Sequence, residues 1–370
     1  MKRLFKAAAL FLPFVLLIVL VNCYADPANV LRTGYEEQVA AMMSSGQNAS
    51  NIRNMDDRLF MQQYAAVRTQ PVDTLVLGSS HSMQVTSQLT GDPNTFCAGV
   101  TGADLRDCIS IYRLFREKGF APKRVILTLD AWFLSEGTLE PRAMTDGYVD
   151  FCNEHGLSAL QVGGGSGWTK QLTKWGQAIS LPYFQSSVEY LKQGKDKTRD
   201  PVPSTDYYTA SDMRRADGSY CYYAEMRDVT PANADGRAKN YIISTPSFAL
   251  YYTGLSAELQ RQLETFISDM QADGVQVAIM LSPFHTSYYD YMLTDPQEYA
   301  GLLSNEQVFR EIAQQKGIPL FGSFSPYNCG LVNTDFYDGV HCSDVAVYSF
   351  YPRDLFDGLT GGQASDLPQG

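Results

Sequence analysis

Short apolar runs that end at turn residues recur along the chain and predict strands. The runs are Thr74 to Leu77 before Gly78, Arg124 to Leu129 before Asp130, and Val275 to Leu281 before Ser282. Each run is largely apolar at odd and even positions alike, which is typical of strands in a parallel sheet that is covered on both faces. A further apolar segment at 318 to 321 predicts another strand near the C-terminus.

Amphipathic segments that stop at glycine lie between these runs and predict helices. The predicted helices run from an N-cap at Ser256 to Gly274, from Leu105 to Lys118 before Gly119, and from a capping box at Ser304 and Gln307 to Lys316. Repeated helix, glycine and strand units predict an α/β fold: a three-layer, doubly wound, mostly parallel sheet.

The alternation breaks down between about residues 136 and 240. This stretch contains GGGSG at 163 to 167, Trp168, Trp175, many tyrosines and the turn-like RRADGSY at 214 to 220. It predicts an insertion whose aromatic side chains either line a substrate groove or build a small core of their own. The predicted α/β domain spans residues 71 to 360, after a juxtamembrane linker and helix at 26 to 70 and before a flexible tail at 361 to 370.

The N-terminus carries a basic cluster followed by an apolar run. Lys2, Arg3 and Lys6 precede an uncharged segment from Ala7 to Ala25 that is long enough to span a bilayer. Residues 1 to 25 therefore predict a transmembrane helix that anchors the chain in the plasma membrane in a single pass, with the catalytic domain extracytoplasmic. The alternative is a signal segment that is cleaved after Ala25.

Composition excludes some functions and leaves one question open. The 370 residues carry a net charge of −11, which disfavours nucleic acid as a partner. Six of the seven cysteines lie beyond the N-terminal segment, and either disulfides in an oxidising compartment or free thiols fit them. The chain has no CxxC pair, and its four histidines show neither HxH nor HExxH spacing, so no metal or other cofactor is predicted.

Two short segments far apart in the chain supply the parts of a serine nucleophile. GSSHS at 78 to 82 lies at the carboxyl end of the first predicted strand, and DGVH at 338 to 341 lies near the C-terminus. Ser80 is the expected nucleophile, His341 its base, and Asp338 the carboxylate that orients the imidazole. Ser79 is the rival nucleophile within the first segment. Each string alone is short enough to arise by chance.

These segments resemble the blocks of the SGNH, or GDSL-type, hydrolase superfamily over most of residues 72 to 350. GSS matches its first block, with Ser79 in the place of the usual aspartate, and Asp338 and His341 match its DxxH block. AGVTGADLRD at 98 to 107 is similar to its second block, which implies an oxyanion hole formed by the N–H groups of Ser80 and Gly102. The third block reads LTLDAWFL at 127 to 134, so the usual asparagine donor has no counterpart unless Trp132 or another group replaces it.

The GSSH block, the Leu-Asp-aromatic sequence, LSPFH at 281 to 285 and the N-terminal segment look more like one extracytoplasmic branch of this superfamily. That branch includes the D-alanine transfer protein of teichoic acid modification and the alginate O-acetylation proteins. The resemblance implies a membrane-anchored serine acyltransferase or esterase that modifies a cell-envelope polysaccharide or polyol polymer, supplied by a multipass O-acyltransferase. The alternatives are a secreted carbohydrate esterase and a non-catalytic binding or assembly protein.

Four further residues are candidates for substrate binding: His81, Asp130, Trp132 and His285. His81 follows the nucleophile, and Asp130 and His285 follow predicted strands at their carboxyl ends. Structural roles compete with each of these assignments: His81 could pack the turn, His285 could make a structural hydrogen bond, and Asp130 could orient its neighbours. Cys342 is adjacent to His341, but neighbouring side chains in a strand or helix point apart, which favours a structural role or a disulfide for Cys342 over a role as nucleophile.

Overall fold

The computed structural model describes residues 2–27, 30–162, 176, 178–192, 200–295 and 297–356. Its strands are β1 Asn48–Ser50, β2 Thr74–Leu77, β3 Thr95–Cys97, β4 Arg124–Thr128, β5 Val202–Ser204, β6 Met213–Arg214, β7 Tyr220–Cys221, β8 Gln276–Leu281 and β9 Leu320–Gly322. Its helices are α1 Lys2–Ala25, α2 Tyr35–Ser44, α3 Asp57–Val67, α4 Ser87–Thr90, α5 Leu105–Glu117, α6 Asp146–His155, α7 Leu181–Lys192, α8 Ala224–Arg227, α9 Pro231–Ile243, α10 Ser247–Leu250, α11 Ala257–Ala272, α12 Thr286–Thr294, α13 Ala300–Lys316 and α14 Asp344–Phe350.

Five parallel strands form the central sheet in the order β3-β2-β4-β8-β9. Alternate residues of each strand face opposite apolar cores: Leu75 and Leu127 belong to the larger cluster, and Val76 and Ile126 to the smaller one. The predicted α/β fold with a parallel sheet is confirmed, and buried residues on both faces of the sheet are compatible with three layers. The chain order across the sheet reverses between β2 and β4, and such reversals are where α/β folds bind ligands, beyond the carboxyl ends of the strands.

Helix ends were predicted well where a cap was local. Ser256 is the N-cap of α11, with its Oγ accepting from the N–H of Leu259 at 3.3 Å, and Gly274 has a φ of +79° just after the helix. The capping box at Ser304 is wrong, because α13 begins at Ala300 and places Ser304 inside the helix. Tyr299 and Leu302 are buried, so packing starts this helix a turn earlier than its polar residues indicate.

The N-terminal segment forms the helix α1. Among the described helices, none is both long and apolar enough to cross a membrane, so the predicted transmembrane helix is not supported. At its C-terminal end, the side-chain amide of Asn22 donates to the carbonyl oxygens of Ala178 and Ser180 at 3.0 and 3.1 Å. The Ser187 hydroxyl of α7 donates to Asn22 Oδ1 at 3.1 Å, so the end of α1 is hydrogen-bonded to the insertion.

The insertion and the segment before the α/β domain share a small antiparallel sheet, ordered β5-β1-β6-β7. Residues 26 to 70, which were predicted as a linker and helix, therefore also supply the strand β1. The turn between β6 and β7 meets the edge of the central sheet, where the N–H of Cys97 donates to Asp217 O at 2.7 Å. The predicted GGGSG segment, Trp168, Trp175 and the tail at 361 to 370 lie outside the described residues.

Gly218 makes this edge contact possible. Its φ is +82°, and a Cβ at this position would lie 2.2 Å from Cys97 O. We expect Gly218→Ala to lower the free energy of unfolding in urea by about 3 kcal/mol, because strain and a clash with rigid backbone combine. Gly119→Ala is the matched control: its φ is +89° with nothing within 4 Å, so strain alone should cost about 1 kcal/mol. Equal losses in the two variants would contradict the close contact.

Candidate active site

Ser80 lies on a tight turn at the carboxyl end of β2. Gly78 starts the turn with a φ of +152°, and a Cβ there would lie 2.7 Å from the Cβ of Thr128 on β4. Ser79 is fully engaged in the turn: its Oγ accepts from the N–H of His81 at 3.2 Å, and its carbonyl accepts from the Ser82 hydroxyl at 2.7 Å. Ser79 is 1% exposed, whereas Ser80 is partly exposed, so geometry favours Ser80 over its rival as the nucleophile.

The structure brings Ser80, His341 and Asp338 together in one chain of hydrogen bonds. Oγ of Ser80 is 2.8 Å from Nε2 of His341, and Nδ1 of His341 is 2.9 and 3.0 Å from the two carboxylate oxygens of Asp338. Ser80 and His341 are 261 positions apart in sequence, and they meet beyond the carboxyl end of β2. The arrangement has the geometry of a nucleophile, a base and the carboxylate that orients the base.

The negative charge of Asp338 and the positive charge of protonated His341 stabilise each other. Burial raises the pKa of Asp338, but His341 and the N–H groups of Val340 and His341 outweigh burial and hold that pKa well below its usual range. Burial lowers the pKa of His341, but the charge and hydrogen bond of Asp338, together with the charge of Asp130, raise it above its ordinary value. His341 is therefore a stronger base than a free imidazole, and its charged form is stabilised once it holds the proton.

A tyrosine of α9 completes the surroundings of Asp338. The Tyr241 hydroxyl of α9 donates to Oδ2 of Asp338 at 3.3 Å. The ring of Tyr241 packs over Gly339, where a Cβ would lie 2.5 Å from the ring. Tyr222 packs against His341 with ring centroids 5.7 Å apart. Two tyrosine side chains therefore contact the triad.

Buried ion pairs hold the loop that carries Gly102. Arg58 pairs with Asp107 at 2.7 Å and donates to the carbonyls of Thr101 and Gly102. Arg214, on β6 of the insertion, donates to the carbonyl of Gly99 at 2.8 Å and pairs with Asp57. Asp57 in turn accepts from the N–H and hydroxyl of Thr101 at 2.9 and 2.7 Å. Charges on three separate segments therefore hold residues 99 to 102 in place.

Two backbone N–H groups are available to an oxyanion. Gly102 has a φ of +62°, and its loop packs against the nucleophile turn, since the N–H of Val100 donates to Gly78 O at 3.1 Å. Neither the N–H of Ser80 nor that of Gly102 donates to a protein group in the described part of the chain. The predicted replacement donor, Trp132, directs its indole N–H to Ala103 O at 3.4 Å and stacks on Phe248, so that N–H is already engaged.

The other predicted substrate-binding residues differ in their surroundings. Nδ1 of His81 lies 2.5 Å from Oδ1 of Asp130, and the His81 ring is edge-on to that of His341 with centroids 5.2 Å apart. His285 is 0% exposed and caps α12, with Nδ1 accepting from the N–H of Ser287 at 3.1 Å. The backbone N–H of His285 donates to Gly339 O at 3.0 Å, so His285 is hydrogen-bonded to the loop that carries Asp338 and His341.

Several residues of the site were missed from sequence: Arg58, Arg214, Tyr222, Tyr241 and Phe248. Their spacing gives no signal, because each reaches the site only through the tertiary fold. Arg58 lies in the segment before the domain, Arg214 and Tyr222 lie in the predicted insertion, and Tyr241 and Phe248 follow it. The one usable sign was the density of tyrosines between residues 136 and 240, where aromatic residues were expected either at a groove or in a small core. One of them, Tyr222, lies at the triad.

The cysteines take no visible part in the chemistry. All seven are free thiols in this structure, and the six beyond α1 are buried. Cys342, next to His341, packs its sulfur 3.7 Å from Pro283 O, and burial raises the pKa of its thiol well above the ordinary value. Within the described residues, no group of histidine, cysteine and acidic side chains has the arrangement of a metal site.

No known protein family, curated protein or solved structure matches this chain. The resemblance to SGNH hydrolases therefore depends on the sequence blocks at 78 to 82, 98 to 107 and 338 to 341.

Proposed function

We propose that this protein is an SGNH-type serine acyltransferase or esterase that works through an acyl-serine intermediate. The hydrogen-bonded chain from Ser80 through His341 to Asp338 is the observation that carries the proposal. A hydroxyl is a weak nucleophile unless a base takes its proton during attack, and His341 is within 2.8 Å of that proton. The two N–H groups of Ser80 and Gly102 supply an oxyanion hole.

The reaction divides into two transfers of the same acyl group. Oγ of Ser80 bonds to the acyl carbon while its proton moves to Nε2 of His341 and the carbonyl electrons move onto oxygen. The carbonyl then re-forms, and the leaving group departs with the proton from His341. In the second half, His341 takes a proton from an acceptor hydroxyl or from water, which attacks the acyl carbon. The carbonyl re-forms, the bond to Ser80 breaks, and Oγ of Ser80 regains its proton from His341.

We propose a cell-envelope polysaccharide or polyol polymer as the acceptor, at the extracytoplasmic side of the plasma membrane, with a multipass O-acyltransferase as the source of acyl groups. The resemblance to the acyl-transferring SGNH branch supports this setting. Aromatic side chains beside the triad also suit a sugar, since flat apolar faces stack on sugar rings.

An active-site fluorophosphonate probe tests the proposal on the purified full-length chain. We expect the wild-type protein to be labelled and Ser80→Ala to lose the label completely, because the probe phosphonylates an activated serine. Ser79→Ala is the matched control; it should remain labelled and lose only about 1 kcal/mol of stability with the cap of the turn. A wild-type protein that is never labelled, or label that persists in Ser80→Ala, would overturn the proposal.

Transfer and hydrolysis differ in their products. With p-nitrophenyl acetate as donor, an esterase releases acetate whether or not glycerol is present, whereas a transferase forms acetylglycerol at the expense of acetate. We expect acetylglycerol to form in the wild-type protein and not in Ser80→Ala. Acetate as the sole product would favour the esterase.

A further inference from the structure

A second buried histidine–carboxylate pair lies directly beside the triad. Nδ1 of His81 and Oδ1 of Asp130 are 2.5 Å apart, and their side chains are only 2% and 1% exposed. His81 follows Ser80 on the same turn, and Asp130 follows β4, the strand next to β2 in the sheet. His81 and Asp130 thus lie at the two strand ends that flank the reversal of the sheet, yet the proposed reaction uses only the pair of His341 and Asp338.

The surroundings of His81 leave a single polar atom for the reaction. Its ring is bordered by His341, Trp132 and Phe284, with centroids at 5.2, 5.5 and 6.3 Å. Asp130 occupies Nδ1. Among the described residues no protein group bonds to Nε2 of His81, and this atom is not fully enclosed. The ring therefore has one free nitrogen and lies against His341, whose own Nε2 is 2.8 Å from Oγ of Ser80.

Asp130 has few other partners for its carboxylate. Its Oδ2 is buried without a hydrogen-bond partner, and among the described residues its Oδ1 contacts Nδ1 of His81. A buried carboxylate is costly unless a donor or an opposite charge compensates it, and the ring of His81 is the group in place to do so. When His81 carries a proton on each ring nitrogen, Nδ1–H is held by Asp130 and Nε2–H is left to donate.

We infer that His81 is a further catalytic residue whose Nε2–H donates a hydrogen bond to the acyl oxygen as Ser80 attacks, and that Asp130 is its positioning residue. This inference depends on the proposed function. As the Ser80 Oγ–carbon bond forms, the carbonyl electrons move onto oxygen and the Oγ proton moves to His341. His81 keeps its proton throughout and stabilises the oxyanion together with the N–H groups of Ser80 and Gly102.

Three variants of the full-length chain test this role with p-nitrophenyl acetate as substrate. His81→Phe keeps a ring without a donor, and we expect kcat to fall about 100-fold with KM nearly unchanged, because an oxyanion donor acts in the transition state. His81→Gln restores an N–H donor and should recover about tenfold of that loss. Asp130→Asn keeps the shape of the side chain but removes its charge. We expect its kcat to lie between those of His81→Phe and His81→Gln, with KM nearly unchanged.

His155→Phe is the control for the loss of a histidine that faces a carboxylate, since the partly exposed His155 of α6 lies 3.5 Å from Asp269 of α11. It should keep the wild-type kcat. Unchanged kcat in His81→Phe would overturn the inference, and so would equal losses in His81→Phe and His81→Gln, which indicate packing alone. If circular dichroism shows that His81→Phe does not fold, the kcat values of His81→Gln and Asp130→Asn are compared instead. A lower kcat in Asp130→Asn than in His81→Gln supports the inference, and wild-type kcat in both variants overturns it. A wild-type protein that neither hydrolyses the ester nor takes the fluorophosphonate instead overturns the proposed function itself.

Discussion

Asp338→Asn is expected to lower kcat for p-nitrophenyl acetate about 10³- to 10⁴-fold while leaving the fold intact. Oδ1 of Asp338 accepts from two backbone N–H groups as well as from His341, so an amide oxygen will occupy that position. The amide nitrogen then faces Nδ1 of His341, where it can only donate. Wherever the amide nitrogen donates to Nδ1, His341 accepts there and carries its proton on Nε2, the atom that should take the proton of Ser80.

The pH dependence of kcat/KM gives this prediction a second measurement. The neutral imidazole of His341 is the base, so activity falls as pH drops through the pKa of that residue. Because Asp338 raises this pKa, we expect the acidic limb of the wild-type profile to lie above the ordinary histidine value of 6.5. In Asp338→Asn the raising charge is gone and burial remains, so the residual activity should persist to lower pH.

Asp235→Asn is the control for both measurements. Asp235 lies 3.5 Å from Nε2 of His285, and among the described residues it has no hydrogen bond or ion pair with Ser80, His341 or Asp338. Its substitution should leave kcat and the acidic limb close to those of the wild-type protein. If Asp338→Asn retained more than about a tenth of the wild-type kcat, the triad would not be the catalytic base system.

The sheet was predictable because its signals are local. Thr74 to Leu77 and its neighbours are apolar on both faces, and helix ends such as Ser256 and Gly274 use short-range capping. GSSHS and DGVH were predictable candidates for the same reason, since each carries its chemistry within five residues at a strand end or turn. What brings Ser80 and His341 together is the parallel arrangement of strands, which the alternation of elements already implied.

The remainder of the site depends on contacts between distant segments. Tyr241 reaches Asp338 and Arg214 reaches Gly99 because the insertion and the residues directly after it fold back over the sheet. In sequence, Arg214 belongs to RRADGSY, a stretch that reads as an exposed turn. Arg214 is nevertheless 0% exposed. The carbonyl and carboxylate groups that compensate its buried charge lie more than a hundred residues away in sequence, so the residues around Arg214 give no sign of its burial.

Arg214→Met should therefore damage both stability and catalysis. We expect the free energy of unfolding in urea to fall by about 3 kcal/mol, because Asp57 loses a buried partner and the carbonyls of Cys97 and Gly99 lose a donor. The flexible methionine fills much of the space over the Phe60 ring, so the chain should still fold. The loop of residues 99 to 102 also loses a hydrogen bond that holds it in place. We expect kcat to fall at least tenfold, because the N–H of Gly102 is then less well positioned to stabilise the oxyanion.

Arg215→Met separates these two effects, because Arg215 is an equally buried neighbour with different partners. It pairs with Asp344 at 3.4 Å and donates to Tyr207 O at 3.1 Å, with no bond to residues 97 to 102. Both variants should lower stability by a similar amount, but only Arg214→Met should lower kcat at a temperature where both are folded. Equal losses of kcat would mean that the insertion supports the site as a whole; a loss confined to Arg214→Met identifies this arginine as the link between the insertion and the oxyanion loop.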